Sequence, residues 1–175
     1  TTWSRGLGDV YKRQLWSEEV SRAEAKLVEQ GPVLDGKLDD PCWKGLSVIK
    51  DFRQRRPNEG FAETEKTEVR LCRDADFLFV SVRCFDSQPD QIRAGVMQRD
   101  APVRGDDYFF ILIDPFSRGR DGYYFRTNAN GAKGEALINS DMSRPKMDWD
   151  TIWEVRSQQD DLGWSAEFAL SLIHI

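Results

Sequence analysis

Asp86, Asp100, Asp106 and Asp107 fall at the ends of expected strands. Oxygen-rich loops of this kind suit calcium, which takes six to eight oxygen ligands, although no EF-hand spacing is present. A structural Ca2+ held by these four acids is therefore an expectation. Other chemistry has less material. The chain has one histidine, His174, its penultimate residue, too little for a His-based triad or a zinc protease. A glycosidase needs two carboxylates about 5–9.5 Å apart across a cleft, and no pair is singled out here. The domain itself is expected to be no enzyme. Met97, Met142 and Met147 could serve as axial ligands, but no CxxCH motif accompanies them, so a haem-binding sandwich stays a second alternative. Cys42, Cys72 and Cys84 are odd in number and form no CxxC. They read as small buried apolar side chains, with no disulfide between Cys72 and Cys84.

The elements that must position these residues follow from composition and period. Thirty acids against 25 bases in 175 residues give a formal net charge of −5, the wrong sign for a nonspecific nucleic-acid grip. No apolar run reaches the length of a membrane helix, so no membrane insertion by this chain is expected. Gly8-Asp9-Val10-Tyr11-Lys12-Arg13-Gln14 and Ser171-Leu172-Ile173-His174-Ile175 resemble translated adapter sequence. Residues 1–14 and 171–175 are accordingly expected to be a non-native leader and tail, 15–31 a lead-in segment, and 32–170 the folded domain.

In that domain a turn at Asp35-Gly36 leads to a helical turn with Pro41 in its first positions, which points Trp43 into the core. From residue 67 the period becomes two. Strands are expected over 67–72 and 77–85, with a further one possible at 91–98. More follow over 107–113, 123–128, 132–139, 151–158 and 164–170. Asn130-Gly131 is a strong hairpin dipeptide. Residues 107–113 are apolar at every position after Asp107, which predicts a central strand covered on both faces. About eight short strands without alternating helices predict an all-β, antiparallel, jelly-roll-like β-sandwich with one or two short helical turns. Trp153 and Trp164 alternate within strands and read as core. Trp149 sits in the polar run Asp148-Trp149-Asp150 and could present an aromatic face.

Leu34-Asp35-Gly36-Lys37-Leu38-Asp39-Asp40-Pro41-Cys42-Trp43 resembles the opening signature of family 9 carbohydrate-binding modules, roughly I-D-G-x-x-D-x-x-x-W. Glu68-Val69-Arg70-Leu71, then Gly105 to Asp114, then Tyr124-Phe125-Arg126-Thr127-Asn128, then Trp164-Ser165-Ala166-Glu167-Phe168-Ala169-Leu170 follow in the family's order. The likeness spans residues 32–170. It is nearest to the N-terminal domain of bacterial proteins of unknown function that continue into a predicted outer-membrane β-barrel.

The resemblance implies noncatalytic binding of a glycan chain, xylan- or cellulose-like, by a module serving carbohydrate catabolism, often beside a glycosidase and with structural calcium. It implies an attached C-terminal domain and a place in the periplasm, at the outer membrane or outside the cell. Arg126 and Asn128 match the family's pattern and share a strand face, where they would bond sugar hydroxyls. The family's stacking Trp falls near Arg104, and its central-strand carboxylate falls at Phe110. Trp149 would replace the lost platform. The expected ligand-binding set is thus Arg126, Asn128, Trp149, Tyr124 and Arg104. The alternative is an interaction sandwich that docks on its own following barrel and binds no sugar.

Overall fold

A computed structural model describes residues 22–119, 121–138 and 145–175. Among them lie eight strands: β1 (Lys26–Leu27), β2 (Thr67–Arg73), β3 (Phe77–Phe85), β4 (Tyr108–Ile113), β5 (Gly122–Asn128), β6 (Gly134–Ile138), β7 (Trp153–Asp160) and β8 (Gly163–Ser171). The only helical pieces described are single 3-10 turns at Pro41–Trp43 and Pro89–Gln91. One sheet runs β1-β2-β3-β8-β7, the other β4-β5-β6. All pairings are antiparallel except the short β1–β2 pair. The all-β sandwich agrees with the periodicity.

Alternation builds the core. Val80 and Val82 of β3, Phe125 of β5, Trp153 and Val155 of β7, and Trp164, Ala166, Phe168 and Leu170 of β8 form one buried cluster. Trp153 stacks on Phe168 with centroids 5.9 Å apart and meets Phe125 edge-on at 5.3 Å. Trp153 and Trp164 are core residues, as their spacing indicated.

The strands covered on both faces are β3 and β8, not β4. Every residue of β8 is buried. Its inner face enters the main core. On the other side a second cluster packs Trp43, Leu34 and Leu38 against Cys72, Phe79 and Ala169. Gly31 is required by this cover, because a Cβ there would sit 2.3 Å from the Phe79 ring.

The cover is fastened by one buried carboxylate. Glu167 Oε1 accepts the Trp43 indole N–H at 2.8 Å. Its Oε2 accepts the backbone N–H of Asp35 at 3.1 Å and of Gly36 at 3.0 Å. The Ser165 hydroxyl donates to the Gly36 carbonyl at 2.6 Å. Gly36 has φ +87°, and a Cβ there would meet the Ser157 backbone at 2.8 Å. Burial pushes the Glu167 carboxyl above its ordinary range, against the pull of the Trp43 and backbone donors.

Two further sequence readings change. Residues 91–98 form no strand after the 3-10 turn. Cys72 pairs with Phe79 rather than Phe77, the partner that a turn at Asp74-Ala75 would give, because the turn centres one residue later, where the Asp74 carboxylate accepts the Asp76 and Phe77 amides. Cys84 pairs with Thr67, far along the ladder from Cys72, and all three cysteines are free thiols. Within residues 171–175, Ser171 is buried at the end of β8 and Ile175 touches the main core, while Ile173 and His174 are exposed. The expected leader, with Trp3, and Trp16 just after it lie outside the described residues.

Candidate functional site

The β4-β5-β6 sheet turns its odd positions on β4 and β5 inward and its even positions outward. Phe109, Ile111, Tyr123 and Phe125 belong to the core. Tyr108, Phe110 and Leu112 stand outward at 46%, 47% and 44% exposure, on a strand that is the sheet's edge among the described residues. Phe110 lies opposite Arg126, and Leu112 opposite Tyr124. The rings form a row: Tyr108–Phe110 centroids are 6.4 Å apart, Phe110–Tyr124 centroids 5.2 Å. Three aromatic rings and a leucine side by side in water form a ready stacking surface.

Arg126 closes one end of the row. It pairs across β5–β6 with Gly134, where a Cβ would sit 2.4 Å from its Nε. Glycine at 134 therefore lets the arginine stem lie flat on β6. Arg126 Nη2 donates to the Ala101 carbonyl at 2.8 Å, while Nε is buried without a hydrogen-bond partner. Beside it a cleft of about 180 Å³ is lined by Pro102, Val103, Arg104, Tyr108, Tyr124 and Arg126. Burial pushes the Tyr124 phenol up, and the adjacent Arg126 offsets part of that. Arg126, Tyr124 and Arg104 thus come together as the sequence suggested.

Asn128 and Trp149 do not join them. Asn128 does share the outer face of β5, but the 94–106 loop lies over it and it is fully buried. Its Nδ2 donates to the Val96 carbonyl at 2.7 Å and to Asp106 Oδ2 at 2.8 Å. Its Oδ1 accepts the Asn130 amide at 3.1 Å and the Ala132 amide at 3.0 Å. An amide has two donors and two acceptor positions, so none is left for a ligand. Asn128 is a latch that holds the loop carrying Ala101 and Arg104. Trp149 packs on Tyr123 at 5.0 Å and edge-on to Phe125 at 6.1 Å. Those are inward residues, so Trp149 lies on the opposite side of β5 from Arg126.

The four aspartates also do not converge. Asp86 accepts the Gln88 amide, Asp100 the Glu135 amide and Asp107 the Arg93 amide. Asp106 accepts the Gly95 and Val96 amides besides Asn128, and these bonds, Val96 first, hold its carboxyl below the usual range. Among the described residues no group of three or more His, Cys, Asp and Glu is arranged to hold a metal. The acids serve as turn and loop acceptors, the alternative role open to strand-end aspartates. Met97 is exposed on the loop, Met147 is partly exposed, and Met142 lies outside the described residues.

Sequence reasoning missed Tyr108, Phe110 and Leu112. Every position after Asp107 is apolar, so the composition of 107–113 gives no sign of which face is left outward.

This fold is that of carbohydrate-binding modules. No protein-family model matches the chain, and no curated protein matches it at a significant level. Among solved structures it is similar to a family 9 carbohydrate-binding module from Caldicellulosiruptor kristjanssonii in complex with glucose. That match has 18% identity and a TM-score of 0.58, over 85% of this chain and 69% of the other. The cellotriose complex of a family 9 module from the same organism matches at 17% identity and TM-score 0.55, over 85% and 68%. A Bacteroides uniformis protein assigned, not shown, to bind carbohydrate matches at 13% identity and TM-score 0.63, over 85% and 71%.

Proposed function

We propose that this chain is a noncatalytic carbohydrate-binding module that holds an oligosaccharide against the outer face of β4 and β5. The observation that carries the reading is the exposed row Tyr108, Phe110 and Tyr124 ending at the Arg104–Arg126 cleft. Sugar rings offer C–H faces to aromatic rings and hydroxyls to fixed donors. The similar folds holding glucose and cellotriose support a glycan as the ligand, cellulose- or xylan-like in the simplest case. In this reading the module serves an attached C-terminal domain of a larger bacterial protein in polysaccharide catabolism. Its place is the periplasm, the outer membrane or the medium.

Calorimetric titration with cello- and xylo-oligosaccharides tests the reading. Heat that saturates, and is weakened in Phe110→Ala, supports it; no heat at millimolar concentration of these neutral sugars or of acidic ones refutes it. Tryptophan fluorescence is the weaker probe, because the row holds no tryptophan. A second reading rests on the edge position of β4 among the described residues, with its exposed apolar side chains. Such an edge invites another polypeptide, here a following barrel domain. Protection of Tyr108 to Ile113 from hydrogen exchange in the longer polypeptide, without sugar binding, would favour it.

A further inference from the structure

The charges at the aromatic cleft differ from those elsewhere on the surface. A concavity on the five-stranded sheet, about 510 Å³, is lined by Glu68, Arg70, Arg83 and Asp160 among others. There the charges neutralise one another. Arg83 holds Asp160 in a two-pronged pair at 2.8 and 2.5 Å, and Arg70 holds Glu68 at 3.2 Å. Arg99 on the loop above β6 is likewise paired, to Glu135 and Asp150. None of the ion pairs formed among the described residues involves Arg104 or Arg126. The acids nearest to Arg104 in sequence, Asp100, Asp106 and Asp107, are turned to backbone amides, and Asp106 also to Asn128.

The cleft is therefore rich in donors and poor in acceptors. Two guanidinium groups line it, each with five N–H donors and no acceptor, and Arg126 gives one to Ala101. The acceptors among the lining side chains are two phenol oxygens. A neutral sugar hydroxyl donates as well as accepts, so a site for it profits from acceptors. A carboxylate accepts only, through two oxygens, and matches arginine bidentately.

We propose that the Arg104–Arg126 cleft selects a hexuronate residue, so that the chain binds acidic rather than neutral polysaccharide. The carboxylate meets the two guanidinium groups, and the pyranose ring lies toward Tyr108 and Phe110. The proposal rests on the carbohydrate-binding reading and refines it.

The test is calorimetry on the full chain with trigalacturonate, triglucuronate, trigalacturonate trimethyl ester and cellotriose. At least one uronate trimer should bind about tenfold or more tightly than the ester and cellotriose, and weaken as salt rises. Arg104→Gln, on an exposed loop, should cut uronate affinity about ten- to a hundredfold and cellotriose affinity by much less, so that the uronate preference shrinks. Arg126→Lys keeps the charge but loses the fork, and should lose most of the uronate preference. Equal binding of the acid and its ester, or cellotriose binding without uronate binding, overturns the proposal and leaves the carbohydrate reading intact. Uronate binding untouched by Arg104→Gln and by Arg126→Lys also overturns it. No binding of any of the four sugars overturns both.

Discussion

Glu167 faces three N–H donors and no hydroxyl, which makes a sharp test of what fastens the 33–46 segment to β8. Consider Glu167→Gln. The amide oxygen can replace Oε2 and keep the Asp35 and Gly36 amides, but its NH2 then points at the Trp43 indole N–H. Turned over, it keeps Trp43 and opposes two backbone donors. Either way a buried donor faces a donor, at a cost of about 1–3 kcal/mol. Trp43→Phe removes the indole donor and leaves part of the Glu167 charge unsatisfied. That costs about 1.5–3 kcal/mol, with a cavity term added. In the double variant the donor–donor conflict is gone, because the introduced glutamine can give its oxygen to the two amides and face no indole. The cavity term appears in both arms that carry Trp43→Phe and cancels. The double variant should therefore be less destabilised than the sum of the singles by about 1–2 kcal/mol. Urea unfolding at about pH 8, where ordinary carboxyls are ionised, gives the four stabilities. Additivity within about 0.5 kcal/mol would refute the claim that Trp43 and Glu167 act through this bond. Burial holds the folded Glu167 carboxyl above its unfolded value, so its contribution favours folding at low pH and is lost as pH rises through the folded value. Wild type should therefore lose stability relative to Glu167→Gln as pH rises from about 4. A constant difference would refute that sign.

Phe110→Ala should lower sugar affinity by about two- to tenfold. It should change stability by less than about 1 kcal/mol, because the ring is half exposed; a large loss of stability with intact binding would contradict the platform. Asn128→Ala should raise hydrogen exchange across 94–106 and weaken ligand binding although Asn128 touches no ligand; unchanged exchange there would refute the latch. Arg83 hydrogen-bonds hold the Asp160 carboxyl below its usual range. The pair's contribution is thus present above about pH 3.9 and lost as pH falls through the lower folded value, and Arg83→Met should flatten that acid limb. The effect stays under about 1 kcal/mol for this partly exposed pair, and an unaltered limb would refute it. Burial pushes the Cys72 thiol up to about 12, so a thiol reagent at pH 8 should reach Cys72 only after unfolding. Prompt native labelling of Cys72 would contradict its burial.

Period and turn chemistry were legible where the answer is local. The Asn130-Gly131 turn, the 3-10 turn at Pro41 and the inward Trp153 and Trp164 follow from short-range rules. The failures share one cause: a strand's alternation says which residues share a face, not what lies over that face. Arg126 and Asn128 do share the outer face of β5, yet one lines a cleft and the other is sealed beneath residues 94–106. Tyr108, Phe110 and Leu112 look like half of a buried strand, but nothing described covers them, while β8, with Ser165 and Glu167 on its outer face, is covered completely. Trp149 sits among polar neighbours in sequence and against Tyr123 in space.

The same distinction limits what the family-like motifs say about ligand. Asp35-Gly36, Trp43, Ser165 and Glu167, the most recognisable parts of the pattern, meet one another through the Glu167 clasp on the far sheet. They preserve the sandwich and contact no residue of the aromatic row. Where the pattern concerns ligand, this chain departs: an arginine stands near the stacking Trp position and a phenylalanine at the carboxylate position. Set beside that pattern, Arg104 lines the cleft with Arg126, and Phe110 stands opposite Arg126 on β4. Fold likeness therefore constrains the scaffold, and the proposed ligand rests on Arg104 and Arg126 beside the aromatic row. That is why exchanging a uronate for its methyl ester tells more about this protein than a further comparison of whole sandwiches.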